Sequence, residues 1–367
     1  MELKSEILSL LRSLISTESF SKEEDNTAQL IAEFLTAQGI EWKRSGNNVW
    51  ARNLHFDEKK PTLLLNSHHD TVKPNPNYTL DPFSPIEKDR KLFGLGSNDA
   101  GGCLVSLIGT FVHYYSCEDL NFNLILAATA EEEISGRGGL EALLPELGKL
   151  ECAIVGEPTE MQMAIAEKGL MVIDATITGK SGHAARDTGV NSIYLAMDDI
   201  EKIRNYRFDK ESQWLGPVKI TVTIINAGTQ HNVVPGTCNY VIDVRTNDDY
   251  NNEEVFEILQ KELKADLKAR SFRMRPSFID PEHPLVKAGS VIDADKFGSP
   301  TSSDQTLLSV PSVKIGPGKS ERSHSPDEFI YLEELEQGLQ GYIKILEQFG
   351  REIEKSNHIS NKEQLLR

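Results

Sequence analysis

The chain has 367 residues, of which 39% are hydrophobic and 26% charged, and its formal net charge is −17 at pH 7. The length suggests two domains, and the composition is typical of a soluble globular protein. Nucleic acids and anionic membranes are bound through clustered Lys and Arg, so the acidic balance argues against both as partners. The sequence has no membrane-length apolar run, no apolar signal core among its first residues and no closely spaced cysteine pair. We therefore expect a reduced, cytoplasmic protein.

Predicted helices and strands alternate along the first part of the chain. Apolar residues at helical spacing predict helices near residues 2–15, 22–38, 101–115 and 139–147. Continuous apolar runs predict buried strands near residues 61–66, 122–130 and 152–156. This alternation is typical of an α/β fold with a largely parallel sheet.

The pattern changes after Lys168. The predicted order is then strand 170–178, helix 190–205, strands 217–226 and 238–246, helix 252–269 and strand 271–279. This βαββαβ order is typical of a ferredoxin-like sandwich. The α/β pattern resumes with a strand at 312–316 and a helix at 332–349, and we expect the polar tail from Glu354 to be frayed. We predict one α/β domain formed by residues 1–169 and 280–367, with an inserted domain of residues 170–279.

The apolar strand candidate at residues 122–130 runs directly into Glu131, Glu132 and Glu133. An unpaired ionised carboxylate is strongly unfavourable inside a core. The strand therefore either surfaces into solvent at this point or ends beside a cation. For this segment alone, a solvated strand end is the simpler interpretation.

Similar polar residues stand at other predicted strand ends and strand–helix loops. His68 and Asp70 follow the first buried strand. Asp99 precedes a buried helix, and Glu157 ends a further strand. Because ligands collect outside the carboxyl ends of parallel strands, we expect these side chains to meet at one edge of the sheet. Clustered carboxylates raise one another's pKa, a conflict that a multivalent cation relieves, and carboxylate with imidazole suits Zn²⁺ or a neighbouring first-row metal.

Each of these residues also has a purely structural explanation. His68 could be a buried histidine whose hydrogen bonds are satisfied, and His69 is ambiguous. Asp99 could cap the helix that follows it, and Glu157 could be a solvated strand end. Their joint occurrence at predicted strand ends favours the metal site over these separate explanations.

Five short motifs follow one another in the chain: His68-x-Asp70, Asp99-Ala-Gly-Gly, Thr-Ala-Glu-Glu132-Glu133, Val-Gly-Glu157-Pro-Thr and Ser-His324. This set resembles the co-catalytic zinc aminoacylase family, which includes acetylornithine deacetylase, succinyl-diaminopimelate desuccinylase, carboxypeptidase G and related di- and tripeptidases. The resemblance covers almost the whole chain. It implies an α/β metallohydrolase catalytic domain with an inserted ferredoxin-like domain that serves as lid and dimerisation domain.

The resemblance implies two Zn²⁺ ions, with Co²⁺ or Mn²⁺ as alternatives. By the family pattern Asp99 bridges both ions and is followed by a cis peptide bond to Ala100. The remaining ligands are His68 and Glu157 at one ion, and Glu133 and His324 at the other.

The family pattern also implies the roles of two further acids. Asp70 orients His68 through its other ring nitrogen. Glu132 is the general base, which takes a proton from a metal-activated water and then protonates the leaving amine.

Further matches lie in the inserted domain. Lys180-Ser-Gly-His183-Ala matches the family's lid histidine, which implies that His183 helps to stabilise the oxyanion, although the residue by itself is typical of a surface turn. Asn232 lies in a segment that resembles the family's Asn-x-x-Pro turn. Arg245 could clamp a substrate carboxylate, and an ion pair with Asp243 or Asp248 is the alternative.

The loop at Ser303 and Asp304 resembles a substrate-lining loop of the family. The inserted domain of such proteins commonly dimerises and brings its histidine into the partner's site, which implies a homodimer here.

The predicted function is removal of an N-acyl group from a small N-acyl amino acid, most similar to acetylornithine deacetylase in arginine biosynthesis. N-acetyl- or N-succinylcitrulline deacylase, succinyl-diaminopimelate desuccinylase and dipeptidase activities are alternatives. A non-catalytic binding module clamped by metal is the alternative from another class, and the spare carboxylate of Glu132 favours the enzyme.

Overall fold

The structure is a computed structural model that describes residues 2–365, with side chains described up to residue 356. The chain divides into two compact units. The first unit comprises Met1–Ile165, Ile279–Phe297 and Ser303–Arg367, and the second comprises Ala166–Phe278 and Gly298–Ser302. Among the described residues, no helix combines the length and the apolar character that crossing a membrane requires.

The elements are numbered in chain order. The helices are α1 (Glu2–Ile15), α2 (Asp25–Ala37), α3 (Gly102–Tyr114), α4 (Leu140–Leu147), α5 (Ser192–Asn205), α6 (Asn252–Glu262), α7 (Pro284–Ala288) and α8 (Leu332–Leu365). The strands are β1 (Trp42–Ser45), β2 (Asn48–Arg52), β3 (Thr62–His68), β4 (Ile86–Lys88), β5 (Lys91–Phe93), β6 (Asn123–Thr129), β7 (Cys152–Val155), β8 (Met163–Glu167), β9 (Gly169–Thr178), β10 (Gly182–His183), β11 (Lys219–Ala227), β12 (Val233–Val234), β13 (Thr237–Thr246), β14 (Asp266–Ala269), β15 (Ser277–Phe278), β16 (Lys296–Ser299), β17 (Ser312–Lys314) and β18 (Phe329–Tyr331).

The main sheet has the order β1-β2-β6-β3-β7-β17-β8-β15. Its central strands β6, β3, β7 and β17 are parallel, whereas β1, β2 and β8 pair with their neighbours in antiparallel fashion. Every residue of β3, β6 and β7 is buried, as expected for parallel strands covered on both faces. The predicted α/β class with a parallel centre is confirmed.

The register of the central strands decides what lies at the carboxyl edge of this sheet. His68, the last residue of β3, pairs with Thr129, the last residue of β6. On the other side of β3, Asn66 pairs with Val155, the last residue of β7. The three strands therefore end side by side, and the residues that follow them emerge at one edge.

The second unit contains an antiparallel sheet of order β11-β13-β9-β14 together with α5 and α6. Its chain order is βαββαβ, as predicted. The predicted bounds of the last helix and strand were wrong, because α6 ends at Glu262 and β14 occupies positions assigned to that helix. The buried carboxylate of Asp199 accepts the backbone N–H groups of Lys264 and Ala265 and so holds the chain in its turn into β14.

The last helix is longer than predicted. Helix α8 continues to Leu365, so the tail from Glu354 is helical over its described residues; 366–367 lie outside the described residues. Buried Tyr342, Leu346 and Phe349 anchor the first part of the helix. An ion pair between Glu352 and Lys355 lies in the part of the helix that follows.

Candidate metal centre

The ends of three parallel strands and two loops bring the predicted ligands together within the first unit. His68 ends β3, the Glu131–Glu133 triplet follows β6, and Glu157 follows β7 after one glycine. Asp99 lies in the loop before α3, and His324 lies in the segment before β18.

His68 has a buried ring nitrogen that faces only acids. Its Nε2 atom has no hydrogen-bond partner among residues 2–356. Nε2 lies 3.3 Å from Asp99 Oδ1, 3.7 Å from Glu157 Oε1 and 3.9 Å from Glu132 Oε2. Burial alone lowers the pKa of His68, but hydrogen bonds and the surrounding carboxylates outweigh it and raise that pKa well above its ordinary value. The carboxylates that stabilise a proton here would equally stabilise a metal ion.

Asp99 lies between two histidines. Its Oδ1 atom faces His68, and its Oδ2 atom lies 3.7 Å from Nε2 of His324. The same His324 nitrogen is 3.0 Å from Glu133 Oε2. Each carboxylate oxygen of Asp99 therefore points to a different imidazole, and the peptide bond from Asp99 to Ala100 is cis, as predicted.

Two groups of three side chains, which share His68, hold their ligand atoms within 4.8 Å of one another. They are His68 with Asp99 and Glu133, and His68 with Glu132 and Glu157. Burial raises the pKa of Glu157 to about 8, and the nearby charge of Asp99 contributes to the rise. Divalent cations would relieve this crowding of negative charge, and oxygen donors with imidazole nitrogen fit Zn²⁺ and similar ions.

Asp70 holds both the histidine and the acidic turn. The Nδ1 atom of His68 lies 2.9 Å from the backbone carbonyl oxygen of Asp70 and 3.5 Å from its carboxylate. The contact of Nδ1 with this carbonyl orients the ring so that Nε2 faces the acids. The carboxylate of Asp70 accepts the backbone N–H groups of Glu132 at 3.0 Å and Glu133 at 3.2 Å. The backbone carbonyl thus makes the closer contact to His68, and the carboxylate mainly fixes the turn after β6.

Glu131 is directed away from the other two acids of the triplet. Its backbone has a left-handed conformation with φ of 56°, and its Oε2 atom accepts the N–H of Gly138 at 3.1 Å. A Cβ atom at Gly136 or Gly138 would lie only 2.0 or 2.4 Å from a Glu131 carboxylate oxygen. The glycine-rich turn thus makes room for Glu131, while Glu132 and Glu133 face the site.

Sequence reasoning missed Glu24, which supports this turn. The side chain is fully buried, its Oε1 atom accepts the N–H of Glu131 at 3.2 Å, and its Oε2 atom accepts from Asn47 Nδ2 at 2.7 Å. His69 lies beside it, with Nε2 3.0 Å from the Asn47 carbonyl and Nδ1 2.9 Å from Thr27 Oγ1. His69 is therefore a buried histidine with satisfied hydrogen bonds. Glu24 carries no sequence signal, because an acid beside a helix start is common.

Ser303 and Asp304 are both buried. Ser303 is 4% exposed, and its Oγ atom accepts the N–H of Gln305, which caps a short helix. The substrate contact of Ser303 stays a prediction. Asp304 Oδ2 accepts the hydroxyl of Thr129 at 2.8 Å, at the end of β6.

The remaining predicted residues lie in the second unit. His183 is exposed on β10, and the backbone N–H of Ala184 donates to the carbonyl of Asn232 across the β10–β12 pair. The Arg245 guanidinium donates to both carboxylate oxygens of Asp243, at 2.9 and 3.1 Å. The ion pair that was the alternative for Arg245 is the arrangement observed.

Comparison with known proteins supports the resemblance found in the motifs. A family model described as the peptidase dimerisation domain of the M20 family matches residues 165–271. An acetylornithine deacetylase of Edwardsiella ictaluri is 29% identical, over 88% of this chain and 92% of that relative. A succinyl-diaminopimelate desuccinylase of Psychromonas ingrahamii is 27% identical, over 91% of this chain and 96% of that relative.

The chain is therefore similar to proteins of the M20 peptidase family. Solved structures agree with this M20 fold. An aminopeptidase from Bacillus cereus superposes with a TM-score of 0.77 at 20% identity, covering 94% of this chain and 98% of that one. A dinuclear metal-binding M20 peptidase from Bacillus subtilis gives a TM-score of 0.74 at 18% identity, covering 94% and 98%. The family resemblance predicted from the five motifs is thereby confirmed.

Proposed function

We propose that this protein is a metal-dependent amidohydrolase that removes the acyl group from an N-acyl amino acid, with acetylornithine as the leading substrate. The observation that carries the proposal is Asp99, whose two carboxylate oxygens face His68 and His324 separately. A carboxylate in that position suits a bridge between two metal ions. The names of the curated relatives support the substrate class.

Five side chains would hold the ions. We assign Asp99 as the bridge, with His68 and Glu157 at one ion and Glu133 and His324 at the other. Zinc is the metal we propose, with Co²⁺ or Mn²⁺ as alternatives. When bound, such a metal pair lowers the pKa of a shared water, so that it can attack an amide carbonyl near neutral pH.

Glu132 is the base in this proposal. Burial raises the pKa of Glu132 well above its ordinary value, and the charges of Glu157 and Asp304 add to the rise against the opposing charge of His68. A carboxylate with a raised pKa can accept the proton of the attacking water and return it to the leaving amine. Because Asp70 fixes the backbone N–H of Glu132, the base is oriented before substrate arrives.

We further propose a cytoplasmic homodimer formed through the second unit. The matched family domain supports this assembly. Exposed apolar side chains lie on α5, at Tyr194 and Met197, and on the edge strand β11, at Ile224 and Ile225. In the dimer, His183 would contribute to oxyanion stabilisation. Asn232 and Arg245 stay candidates for substrate contacts, the latter only after release from Asp243.

Succinyl-diaminopimelate desuccinylase activity is the second candidate, because one relative of that name aligns over most of the chain. The deciding experiment measures hydrolysis by the Zn²⁺-loaded protein of acetylornithine, acetylcitrulline, succinylcitrulline, succinyl-diaminopimelate and dipeptides. The highest kcat/KM for acetylornithine supports the proposal. Hydrolysis of none of these amides, by protein that has bound two metal ions, supports the metal-clamped binding module instead.

A further inference from the structure

Besides Asp70 and Glu24, a further buried carboxylate supports the proposed metal centre without being one of its proposed ligands. Glu328 lies immediately before β18 and four positions after His324, and it is 2% exposed. Its Oε1 atom accepts the backbone N–H groups of Asn98 and Asp99, both at 2.9 Å. A buried carboxylate is strongly unfavourable unless hydrogen bonds compensate for its lost hydration, and two backbone donors on one oxygen provide such compensation.

The same two segments are joined at further points. The N–H of Gly94 donates to the backbone carbonyl of Glu328 at 3.0 Å. Asn98 exchanges two hydrogen bonds with Lys319, because its Oδ1 atom accepts the Lys319 N–H at 2.9 Å and its Nδ2 atom donates to the Lys319 carbonyl at 3.1 Å. The loop that carries Asp99 is therefore held against the segment that carries His324 at two positions, Lys319 before His324 and Glu328 after it.

We propose that Glu328 is a positioning residue that sets the location of Asp99 relative to His324. The proposal rests on the function proposed above, since it assumes that these two residues are metal ligands. Glu328 itself is absent from the groups of side chains able to hold a metal. The Oε1 atom of Glu328 already accepts two N–H groups of the loop that carries Asp99. Glu328 therefore acts on the metal through Asp99 and not by direct coordination.

Neighbouring Asp327 provides a matched control. Its carboxylate accepts the N–H groups of Thr79 and Leu80 and the hydroxyl of Thr79, and none of these groups belongs to the Asp99 loop. Asp327→Asn therefore removes one negative charge at the adjacent position without touching the hydrogen bonds of Asp99. If the metal responded only to lost charge or to disorder of this segment, Asp327→Asn would weaken metal binding as much as a substitution of Glu328.

The test compares the full-length wild type with Glu328→Gln, Glu328→Ala and Asp327→Asn after removal of metal. Calorimetric titration with Zn²⁺ gives stoichiometry and affinity, and the visible spectrum with Co²⁺ reports ligand geometry. We expect Glu328→Ala to weaken at least one metal site by about 10–100-fold, the range typical of lost outer hydrogen bonds to ligands. Glu328→Gln retains one acceptor oxygen, so we expect a smaller loss with an altered Co²⁺ spectrum. Asp327→Asn should bind both ions like the wild type.

The outcomes separate this inference from the proposed function. A wild type that binds no Zn²⁺ overturns the metal centre itself. A wild type that binds two ions, with Glu328 variants of equal affinity and unchanged Co²⁺ spectrum, overturns only the role of Glu328. If Glu328→Ala does not fold, Glu328→Gln alone decides, since wild-type affinity and spectrum in that variant contradict the inference. An Asp327→Asn variant that loses metal as strongly also contradicts it.

Discussion

The backbone N–H of Glu132 donates to the carboxylate of Asp70 over 3.0 Å, which ties the turn after β6 to the end of β3. The proposed base is thereby fixed to the chain segment that carries His68. The adjacent N–H of Glu133 donates to the other oxygen of the same carboxylate. One aspartate thus sets the direction of the proposed base and of a proposed ligand.

Glu132→Gln should remove most activity while both metal ions stay bound. The amide is nearly the same size but cannot accept the proton of the attacking water, and loss of a general base costs about 10²–10⁴-fold in kcat. Steady-state kinetics with acetylornithine and metal analysis of the purified variant provide the measurement. A fully active Glu132→Gln protein would remove this residue from the mechanism.

Asp70→Asn should affect both metal binding and turnover. The amide offers one acceptor oxygen where the carboxylate accepts from both Glu132 and Glu133, and its NH₂ group would face one of those donors. We expect kcat or metal affinity to fall by about 10–100-fold with a smaller change in KM. Kinetics at saturating Zn²⁺ separate the two effects. A wild-type kcat together with a wild-type metal affinity would show that the turn after β6 does not need the carboxylate of Asp70.

Glu24→Gln should lower stability more than it lowers activity at saturating metal. One side-chain oxygen remains for the N–H of Glu131, whereas the acceptor for Asn47 Nδ2 is replaced by an NH₂ group. A buried donor left without its acceptor costs about 1–3 kcal/mol. Urea unfolding of the metal-free protein measures the difference. An unchanged unfolding midpoint would mean that the buried network rearranges without loss.

The metal-free protein should become less stable as the pH rises from about 5 to 8. Burial and the charge of Asp99 raise the pKa of Glu157 to about 8 and that of Glu328 to about 8. The folded state therefore binds more protons than the unfolded state over this range, so the free energy of unfolding decreases as the pH rises. Thermal melts in the presence of a chelator, recorded from pH 5 to 8, test the sign of this pH dependence. Added Zn²⁺ should reduce the slope, and a metal-free slope of opposite sign would contradict the prediction.

Ile224→Lys should convert the proposed dimer to a monomer. The side chain is 51% exposed on β11, which is an edge strand, and a lysine there disfavours pairing with another chain. Val291→Lys changes an apolar residue that is 41% exposed in the first unit, and it serves as the control. Light scattering after size exclusion gives the mass. We expect activity to fall only in the monomeric variant, and an active monomer would exclude a contribution of His183 from a partner subunit.

Several proposed metal ligands could be predicted from the sequence because they follow the ends of recognisable apolar strands. The apolar runs before His68, Glu131 and Glu157 mark strands, and parallel strands bring their carboxyl ends to one edge. The bounds of α6 and β14 could not be predicted in this way. Asp199, far away in sequence, decides that turn through hydrogen bonds to Lys264 and Ala265.

The sequence by itself determined which acids and histidines follow the predicted strands and in what order they occur along the chain. It also determined the family that these motifs resemble. Only the tertiary structure decided which carboxylates face the proposed metals and which bind backbone N–H groups instead. Glu133 and Glu24 are both glutamates near element ends, yet one faces His324 and the other faces the N–H of Glu131. Glu328 and Asp99 are 229 positions apart, and their hydrogen bond forms only because the fold brings two distant loops within 2.9 Å. A local sequence pattern cannot encode that distance.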